Sequence, residues 1–256
     1  MKVTLITVTL NSENFLEDCI RSVIRQDHTD IEHIIIDGKS TDGTLAIIHK
    51  NKDHISKWIS EKDYSMYDAI NKGMAMATGD IIGTLNSDDV LASPDVISSI
   101  VASFEREKVN VVYGDLMYVN KDYPHEVIRR WKGGKFNSNN FRYGWMPAHP
   151  TFYFRRELLD TCGYYETHFF SAADYEFMTR YLFFHKVGAA YLPKLIVKMR
   201  CGGISNGNIV RRLRANRRDY LAMKKNKVPF ATVVSLLKPV IKLHQYNNLG
   251  IARFFT

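Results

Sequence analysis

Residues 81–89 have the sequence Ile81-Ile82-Gly83-Thr84-Leu85-Asn86-Ser87-Asp88-Asp89, a largely apolar run followed by four polar residues. The apolar run predicts a buried strand, because short apolar segments bounded by turn residues are typical of strands inside a sheet. The polar residues predict a turn with two adjacent carboxylates at the end of that strand. Such carboxylates are costly to bury unless solvent or a cation compensates them. Mg²⁺ and Mn²⁺ prefer carboxylate oxygens, so Asp88 and Asp89 are candidate metal ligands.

Short apolar segments and longer amphipathic segments alternate on both sides of this stretch. Strands are predicted at residues 3–10, 33–37, 58–61, 81–85 and 109–119, and helices at residues 15–24, 44–50, 66–77 and 93–104. This order predicts an α/β fold with a mostly parallel sheet flanked by helices. Ligands of such sheets bind outside the carboxyl ends of the strands, so the polar residues that follow each strand are candidate site residues.

The pattern changes in the second half of the chain. Further strands are predicted at residues 126–131, 151–154 and 190–199, and a helix at residues 173–185. Between them, Gly133–His149 is a loop rich in asparagine, glycine and aromatic residues. A loop of this length in a compact domain is usually functional or mobile. From Asn208 onwards the sequence is typical of helix, with breaks at Pro229 and Pro239.

Polar side chains collect at several predicted strand ends. Thr9 and Asn11 end the first strand, residues 37–43 follow the second, and residues 86–89 follow the fourth. Asp174 stands at the start of a later helix. An ordinary acidic turn would explain residues 86–89 alone, but it does not explain polar groups at several strand ends of one sheet edge.

Five motifs make the chain up to its tail resemble the family 2 glycosyltransferases with the GT-A fold, of the bacterial polysaccharide type. The motifs are Ile6-Thr7-Val8-Thr9-Leu10-Asn11, Ile36-Asp37-Gly38-Lys39-Ser40-Thr41-Asp42-Gly43-Thr44, Tyr67-Asp68-Ala69-Ile70-Asn71-Lys72-Gly73, Ala77-Thr78-Gly79-Asp80 and Leu85-Asn86-Ser87-Asp88-Asp89. The resemblance rests on their order and spacing. It implies a GT-A (Rossmann-like) catalytic domain over residues 1–207, followed by a basic amphipathic helical tail over residues 208–256.

The same resemblance assigns residues to the donor nucleotide. Thr9, Asn11 and Asp37 would face the base and ribose, and Asp68 and Lys72 look like the family's donor-side residues. Donors in this family are usually uridine diphosphate sugars. The resemblance therefore implies a nucleotide-sugar donor that transfers its sugar to a saccharide or a lipid-linked saccharide acceptor in cell-surface polysaccharide synthesis.

The metal-binding turn matches the family pattern with one departure. Asp88 looks like the metal-binding acid of the family's DxD motif, with Asp89 beside it, and the implied cofactor is Mn²⁺ or Mg²⁺. The first acid of that motif is Asn86 here, which removes one negative charge near the ribose and the metal. A second departure lies earlier, where Gly38 stands at a position that is acidic in many members.

Asp174 lies in Ser171-Ala172-Ala173-Asp174-Tyr175-Glu176, which resembles the family's catalytic-base segment. A carboxylate within hydrogen-bond reach of an acceptor hydroxyl can remove its proton as the oxygen attacks the anomeric carbon. A single in-line displacement of this kind inverts the anomeric configuration. The alternatives are that Asp174 only caps its helix, or that Glu176 is the base.

Two residues of the long loop are further candidates. His149 could reach the diphosphate or the metal, although a lone histidine is more often structural. Trp145 could stack on an acceptor sugar, as could three other aromatic residues nearby, although aromatic residues in loops also serve ordinary packing. These three are Trp131, Phe141 and Tyr143.

The positive charge of the chain is concentrated in the tail. The chain has a net charge of +8, and residues 208–256 carry +10, which leaves −2 on residues 1–207. A basic tail with apolar stripes is typical of a helix in a membrane interface. We expect a cytoplasmic protein whose tail binds the inner face of a bacterial cytoplasmic membrane. The alternative is a helix packed on the domain or on a second subunit in a homodimer.

Other function classes fit the sequence less well. A nucleotidyltransferase would need a glycine-rich basic loop after the first strand, and residues 9–12 contain neither glycine nor a basic residue. A non-catalytic sugar-nucleotide-binding homologue stays open, although Asp88 and Asp174 are both present. Nucleic-acid binding is not expected, because the body offers no basic surface that continues the tail. Three widely spaced cysteines support neither a zinc knuckle nor a disulfide framework, and they predict ordinary reduced thiols.

Overall fold

The computed structural model describes residues 1–201, 209–232 and 234. Its strands are β1 (Val3–Thr9), β2 (Ile31–Asp37), β3 (Lys57–Ser60), β4 (Ile81–Thr84), β5 (Val90–Leu91), β6 (Val111–Asn120), β7 (Val127–Trp131), β8 (Tyr153–Arg155) and β9 (Ala189–Cys201). Its helices are α1 (Leu16–Ile24), α2 (Thr44–Lys50), α3 (Met66–Met76), α4 (Val96–Glu107), α5 (Leu158–Cys162), α6 (Ala173–Thr179) and α7 (Ile209–Lys225). The strands form one sheet flanked by helices, as the sequence predicts.

The first four long strands form the parallel half of the sheet in the order β3-β2-β1-β4. All seven residues of β1 are buried, and β4 is buried along its whole length. Strands covered on both faces are expected to be continuously apolar rather than alternating, which is why these segments are rich in Val, Ile and Leu. Their carboxyl ends lie at one edge of the sheet.

The second half of the sheet is mixed, and here the structure adds to the prediction. β8 lies between β4 and β6 and is antiparallel to both, so the parallel order is interrupted. β6 then pairs in parallel with the long strand β9, while β7 and β5 add antiparallel edges. The sequence did not predict β5, because a strand of two residues carries no periodic signal.

Helix α3 is fixed at both its start and its middle. The Ser65 side chain accepts a hydrogen bond from the backbone N–H of Asp68 at 3.2 Å, which caps the helix. At Gly73 a Cβ atom would lie 2.4 Å from the side chain of Ile6, so only glycine allows α3 to pack this closely on β1. This contact holds the start of α3 near the carboxyl edge of the sheet.

Some predicted boundaries shift in the structure. α4 begins at Val96 rather than at Ser93, whose hydroxyl instead donates to the carboxylate of Asp95. The strand predicted at residues 151–154 is β8, which begins at Tyr153, and a short 3₁₀ turn at His149–Thr151 precedes it. The predicted helix at 173–185 is α6 followed directly by a π-helical turn at Arg180–Phe184.

Two main hydrophobic clusters hold the layers together. One lies around α3, α6 and the aromatic residues of the second half, and the other around α1, α4 and the far face of the sheet. The first cluster also contains Ala222, Met223, Val228 and Val234 from the tail. The tail helix α7 therefore packs on the body through one face.

The rest of the predicted tail, residues 202–208, 233 and 235–256, lies outside the described residues. The membrane prediction, made for residues 208–256, therefore lies partly outside the described residues, which include only α7 and a few residues after it. Within the residues described here, no helix is long and apolar enough to cross a membrane.

Candidate active site at the carboxyl edge of the sheet

Three neighbouring strands place polar side chains side by side at the carboxyl edge. Thr9 pairs with Asp37, and Asp37 pairs with Ser60, so the ends of β1, β2 and β3 are in register. Asp37 is fully buried, and it accepts hydrogen bonds from the Ser40 N–H at 3.0 Å and the Ser60 hydroxyl at 2.6 Å. The hydroxyl oxygen of Thr9 is buried without a partner among the described residues. A buried polar atom without a partner is unusual and marks a position where a ligand would complete the bonding.

The loop after β1 is tied to its neighbours by side-chain hydrogen bonds. Asn11 has a positive φ of 51°, and its side-chain oxygen accepts from the Thr41 N–H at 2.9 Å. Its backbone N–H donates to the Ser40 hydroxyl at 2.8 Å. The Ser12 hydroxyl lies 2.8 Å from that of Ser87. Asn11 thus shapes the loop after β1 through Thr41, and the Ser12–Ser87 contact joins that loop to the acidic turn.

The two carboxylates of the acidic turn differ in direction. Asp89 is fully buried and accepts from the Asn86 amide at 2.8 Å and from the Arg200 N–H at 3.3 Å. Burial, followed by the charge of Asp88, raises the pKa of Asp89 to about 8. Asp88 is half-buried, and burial raises its pKa as well. Asp88 is therefore the carboxylate that remains for a ligand, while Asp89 is bonded within the turn.

Arg200 on β9 braces this turn from the far side. Its guanidinium donates to the carbonyl oxygen of Asp88 at 2.9 Å and to the carboxylate of Asp18 at 2.7 Å. The guanidinium also lies over the ring of Phe15, at 5.2 Å. Arg200 fixes the backbone of the turn and brings a positive charge close to the two aspartates.

Lys72 lies in a cluster of acids at the start of α3. Its ammonium group is 2.7 Å from Glu61 and from Asp63, and 3.8 Å from Asp68. The hydrogen bond to Asp63 is the main reason that the pKa of Lys72 is raised. The carboxylate of Asp68 also accepts the Tyr64 N–H at 3.1 Å, so Asp68 closes the start of the helix. The predicted pair of Asp68 and Lys72 is thus joined by two acids that the sequence analysis did not single out.

Asp63 lies next to the position where the family's second acid is missing. A Cβ atom at Gly38 would be 3.3 Å from the carboxylate of Asp63. Burial raises the pKa of Asp63, while its bond to Lys72 acts in the opposite direction. An acid from the β3–α3 loop therefore fills the space beside Asp37 that a side chain at position 38 would occupy.

The predicted base lies in a second group of residues, with His149 and two tyrosines. His149 Nε2 is 2.7 Å from the hydroxyl of Tyr165, and the ring of Tyr67 on α3 packs against both. Burial lowers the pKa of His149, and the charge of Asp174 opposes that effect. Burial also raises the pKa of Tyr67 and Tyr165, and Asp174 adds to it in both. Asp174 is thus close enough to affect all three groups.

The chain is similar in sequence to known proteins. The profile described as Glycosyl transferase family 2 matches residues 4–170 of the chain. The chain belongs to this family. It is 30% identical over 217 residues to a PGL/p-HBAD biosynthesis glycosyltransferase of Mycobacterium bovis, covering 79% of this chain and 78% of that protein. It is 31% identical over 187 residues to an uncharacterized glycosyltransferase of Mycobacterium tuberculosis, covering 70% and 68%.

Solved structures share the fold of this glycosyltransferase. TarS of S. aureus matches with a TM-score of 0.68 at 18% identity, over 88% of this chain and 39% of the TarS chain. A TarS fragment in complex with UDP-GlcNAc matches with a TM-score of 0.66 at 20% identity, over 88% and 71%. The mannosyltransferase PcManGT from Pyrobaculum calidifontis, in complex with GDP-Man and Mn²⁺, matches at 0.64 and 19%, over 97% and 70%.

The remaining predicted site residues of the glycosyltransferase have mainly packing partners. Trp145 is half-buried and packs edge-on against Tyr113 and Phe141, with ring centroids 5.8 and 5.5 Å away. Glu176, the alternative base, is fully buried and bonded to Arg180 at 3.0 Å. A buried carboxylate held by a cation cannot reach a substrate hydroxyl, which leaves Asp174 as the candidate in this segment.

Three residues that contact the predicted site residues were not predicted from the sequence. Arg200 lies within a strand that gave no sign of contacting the acidic turn. Asp63 was overlooked, although Glu61-Lys62-Asp63 directly follows a predicted strand and could have been inspected as a strand end. Tyr165 meets His149 only through the tertiary fold, so no local pattern predicts it.

Proposed function

We propose that this glycosyltransferase is a metal-dependent, inverting enzyme that transfers a sugar from a nucleotide diphosphate donor, a UDP-sugar, to a hydroxyl of a saccharide or lipid-linked saccharide. The observation that carries the proposal is the meeting of Thr9, Asp37 and the Asn86–Asp89 turn at one sheet edge. Thr9 supplies an unpartnered hydroxyl there, and Asp88 supplies a half-buried carboxylate. The solved relatives that bind UDP-GlcNAc or GDP-Man share the same fold.

The donor half of the site fits a nucleotide. In our proposal Thr9, Asn11 and Asp37 form the base and ribose pocket, and Asp68 and Lys72 shape its α3 side. Asp63 takes the place of the acid that Gly38 lacks. A half-buried carboxylate beside Asp37 would accept the N–H of a uracil ring, because an ionised carboxylate offers acceptors only.

The acidic turn fits a divalent cation. Two adjacent carboxylates, both with raised pKa values, are a site where added positive charge is favourable. The described residues hold no cluster of three or more histidine, cysteine, aspartate or glutamate side chains placed to chelate a metal. We therefore propose that Asp88 holds Mn²⁺ or Mg²⁺ together with diphosphate oxygens, and that Asp89 and Asn86 orient Asp88. The cation would neutralise the departing diphosphate.

Asp174 acts as the general base in this scheme. The acceptor oxygen attacks the anomeric carbon, its proton passes to the Asp174 carboxylate, and the bond from that carbon to the diphosphate oxygen breaks. The diphosphate leaves with the bonding electrons, and the anomeric configuration inverts. His149 and Tyr165 are joined at 2.7 Å, and in our proposal they lie beside Asp174, where His149 would contact the acceptor or the diphosphate. Trp145 would support the acceptor from the loop.

A donor screen tests the transferase proposal. The full chain is incubated with Mn²⁺ and a panel of UDP-sugars that includes UDP-GlcNAc, and slow release of UDP is measured. We expect one donor to be hydrolysed, with loss of the reaction in EDTA and its return on adding Mn²⁺. Binding of donors without any turnover would favour the non-catalytic homologue instead. Absence of both binding and turnover would contradict the proposal.

The base assignment has its own test. Asp174→Ala should lower turnover by about 10²–10⁴-fold, the usual contribution of a general base. The donor dissociation constant, measured by calorimetry, should stay within about twofold, because Asp174 acts on the acceptor side. Asp160→Ala removes an exposed carboxylate on α5 and serves as the matched control. A large loss of donor affinity in Asp174→Ala would show that it is not the base.

Exposed aromatic rings and a lysine near the end of α7 support membrane association at the inner face of a bacterial cytoplasmic membrane. Phe230 is 79% exposed and Phe184 is 42% exposed, and the Lys227 ammonium lies 5.5 Å from the Phe184 ring. Exposed aromatic rings beside cations suit an anionic lipid interface. Phe230→Ser should reduce co-flotation with phosphatidylglycerol vesicles, whereas Tyr123→Ser, on the β6–β7 hairpin, should not. Equal flotation of both variants would contradict the membrane role.

A further inference from the structure

The segment that carries Asp174 has a backbone conformation that must be held from outside. Just before α6, Phe170 has φ 50° and ψ −122° inside the 3₁₀ segment Thr167–Ala172. A positive φ is strained for a bulky residue, because its Cβ crowds the backbone. The side chain of Phe170 is also 56% exposed, so burial of its ring does not maintain this conformation. The contacts that hold it must come from a neighbouring element.

Helix α7 supplies those contacts on the N-terminal side of Asp174. The Arg218 guanidinium carbon lies 4.4 Å from the centroid of the Phe170 ring, in a cation–π contact. The same guanidinium donates to the hydroxyl of Ser171 at 3.3 Å. Arg218 thus contacts the strained residue and its neighbour together, three and four positions before Asp174.

The same helix holds the C-terminal side of Asp174. The Lys225 ammonium binds Glu176 at 3.0 Å and also binds Glu166, at the start of the 3₁₀ segment. Asn226, which is 2% exposed, donates to Glu176 at 3.2 Å. Glu176 is two residues after Asp174 and has no exposure, so its bond to Asn226 is shielded from solvent, while the Lys225 side chain that binds it is 36% exposed.

From these contacts we infer that α7 is a functional part of the active site, in which Arg218 and Lys225 are positioning residues that fix the Asp174 carboxylate. The inference rests on the proposed role of Asp174 as base. Arg218 contacts the base-bearing segment before Asp174, at Phe170 and Ser171, and Lys225 binds it after Asp174, at Glu176. Asp174 therefore lies between the two contacts. Within the part of the chain that the structure describes, the bonds of these two cations lie on the Asp174 segment rather than at the donor edge of the sheet, where the nucleotide would bind. Loss of the contacts of Arg218 or of Lys225 would let the segment relax and would move the Asp174 carboxylate away from the acceptor hydroxyl.

A misplaced base lowers turnover without changing donor binding, because only the proton-transfer geometry is lost. We therefore expect substitutions of these α7 residues to lower kcat while donor binding is unchanged. A helix that served only to stabilise the fold would instead lower the amount of folded enzyme, with kcat per folded molecule and KM both unchanged.

The test uses the full chain, Mn²⁺ and the UDP-sugar selected by the donor screen, with UDP release as the rate. Arg218→Ala should lower kcat about tenfold while the donor dissociation constant stays within about twofold. Arg218→Lys keeps a cation for Phe170 and a donor for Ser171, and it should recover most of the rate. Lys225→Ala, which removes the second contact, should lower kcat by a similar factor. Arg217→Ala is the matched control, since it removes the same charge from an exposed neighbour on the same helix.

The outcomes separate the inference from the function on which it rests. Wild-type enzyme that hydrolyses no donor overturns the proposed function and this inference together. Wild-type activity with Arg218→Ala and Lys225→Ala both within twofold of wild type overturns the inference alone. A fall in Arg217→Ala equal to that in Arg218→Ala would also overturn it, because the effect would then be one of helix charge rather than of contact.

Discussion

Two sets of acids in this molecule, all buried except the half-buried Asp88, have different kinds of partner. Glu32, at the start of β2, and Glu176, on α6, are each paired with a cation. The Lys57 ammonium is 3.1 Å from Glu32, and the Arg180 guanidinium is 3.0 Å from Glu176. Asp37, Asp88 and Asp89, at the carboxyl edge, form no ion pair with any lysine or arginine among the described residues.

In our proposal, the difference separates acids that hold the fold from acids that bind a ligand. Burial alone would raise the pKa of Glu32, but bonds from Thr4, Thr78 and Lys57 lower it to about 2. The opposite holds at Asp89, where burial and Asp88 raise the pKa to about 8. Carboxylates with raised pKa values at a candidate site fit the proposed binding of a cation or a nucleotide there.

The largest expected effect comes from removing a site acid. Asp88→Ala should lower metal-dependent turnover about 10³-fold, or about 4 kcal/mol, because the metal loses its protein ligand. Its free energy of unfolding should equal or exceed that of wild type, since a repulsive neighbour of Asp89 is gone. Turnover and urea denaturation would be measured on the same preparation. Strong destabilisation would break the comparison by showing that Asp88 also holds the fold.

Removing a paired acid should act in the opposite way. Glu176→Ala leaves Arg180 and Lys225 without their shared carboxylate, and we expect a loss of about 4 kcal/mol in the free energy of unfolding. Urea denaturation measures this, with the exposed Glu157→Ala as control. A change below about 1 kcal/mol would contradict the structural role given to this group.

The pH dependence of stability should reveal Glu32. Its pKa is about 2 in the folded chain against an ordinary value of 4.5, so its stabilisation is complete above pH 4.5 and is lost as the pH falls towards 2. The difference in unfolding free energy between wild type and Glu32→Gln should be about 3 kcal/mol at pH 7 and about 2 kcal/mol smaller at pH 3. An equal difference at both pH values would show that the ion pair is not responsible.

The smallest effect tests the family's missing acid. Asn86→Asp replaces the amide that donates to Asp89 with a third carboxylate. We expect a loss of about 1 kcal/mol of stability without metal, through like-charge repulsion, and tighter binding of Mn²⁺. Thermal unfolding with and without Mn²⁺ would show both effects. If Mn²⁺ bound more weakly, Asn86 would be a ligand in its own right rather than a brace for Asp89.

Much of the parallel half of the fold follows from the sequence alone. Continuous apolar runs identify β1, β2 and β4, and the rule that ligands bind at carboxyl ends brings Thr9 and Asp37 together before any coordinates are known. The family resemblance to glycosyltransferases, stated from five motifs, is confirmed by the family match. These features are local in sequence or follow from strand order.

The features that could not be predicted depend on distant parts of the chain. The insertion of β8 between β4 and β6 pairs residues about 70 positions apart, which leaves no periodic trace. Which way Asp89 points is decided by the Arg200 N–H, 111 residues further on. The docking of α7 depends on Asn226 and Glu176, which are 50 residues apart and look like ordinary surface residues in sequence. Charge pattern alone therefore could not show whether the tail faces the domain or a lipid.

The close approach of Asp63 to Gly38 also limits how the site can vary. An added Cβ at position 38 would be 3.3 Å from that carboxylate, so a side chain there would require Asp63 to move by a few tenths of an ångström, and an acid there would add a second negative charge beside it. Within the family, the two positions are then expected to change together, with an acid at one accompanied by a smaller or neutral residue at the other. For protein engineering, restoring the missing acid requires a paired exchange, such as Gly38→Asp with Asp63→Gly. Such a swap would move a single charge between two loops while the site's total charge stays constant.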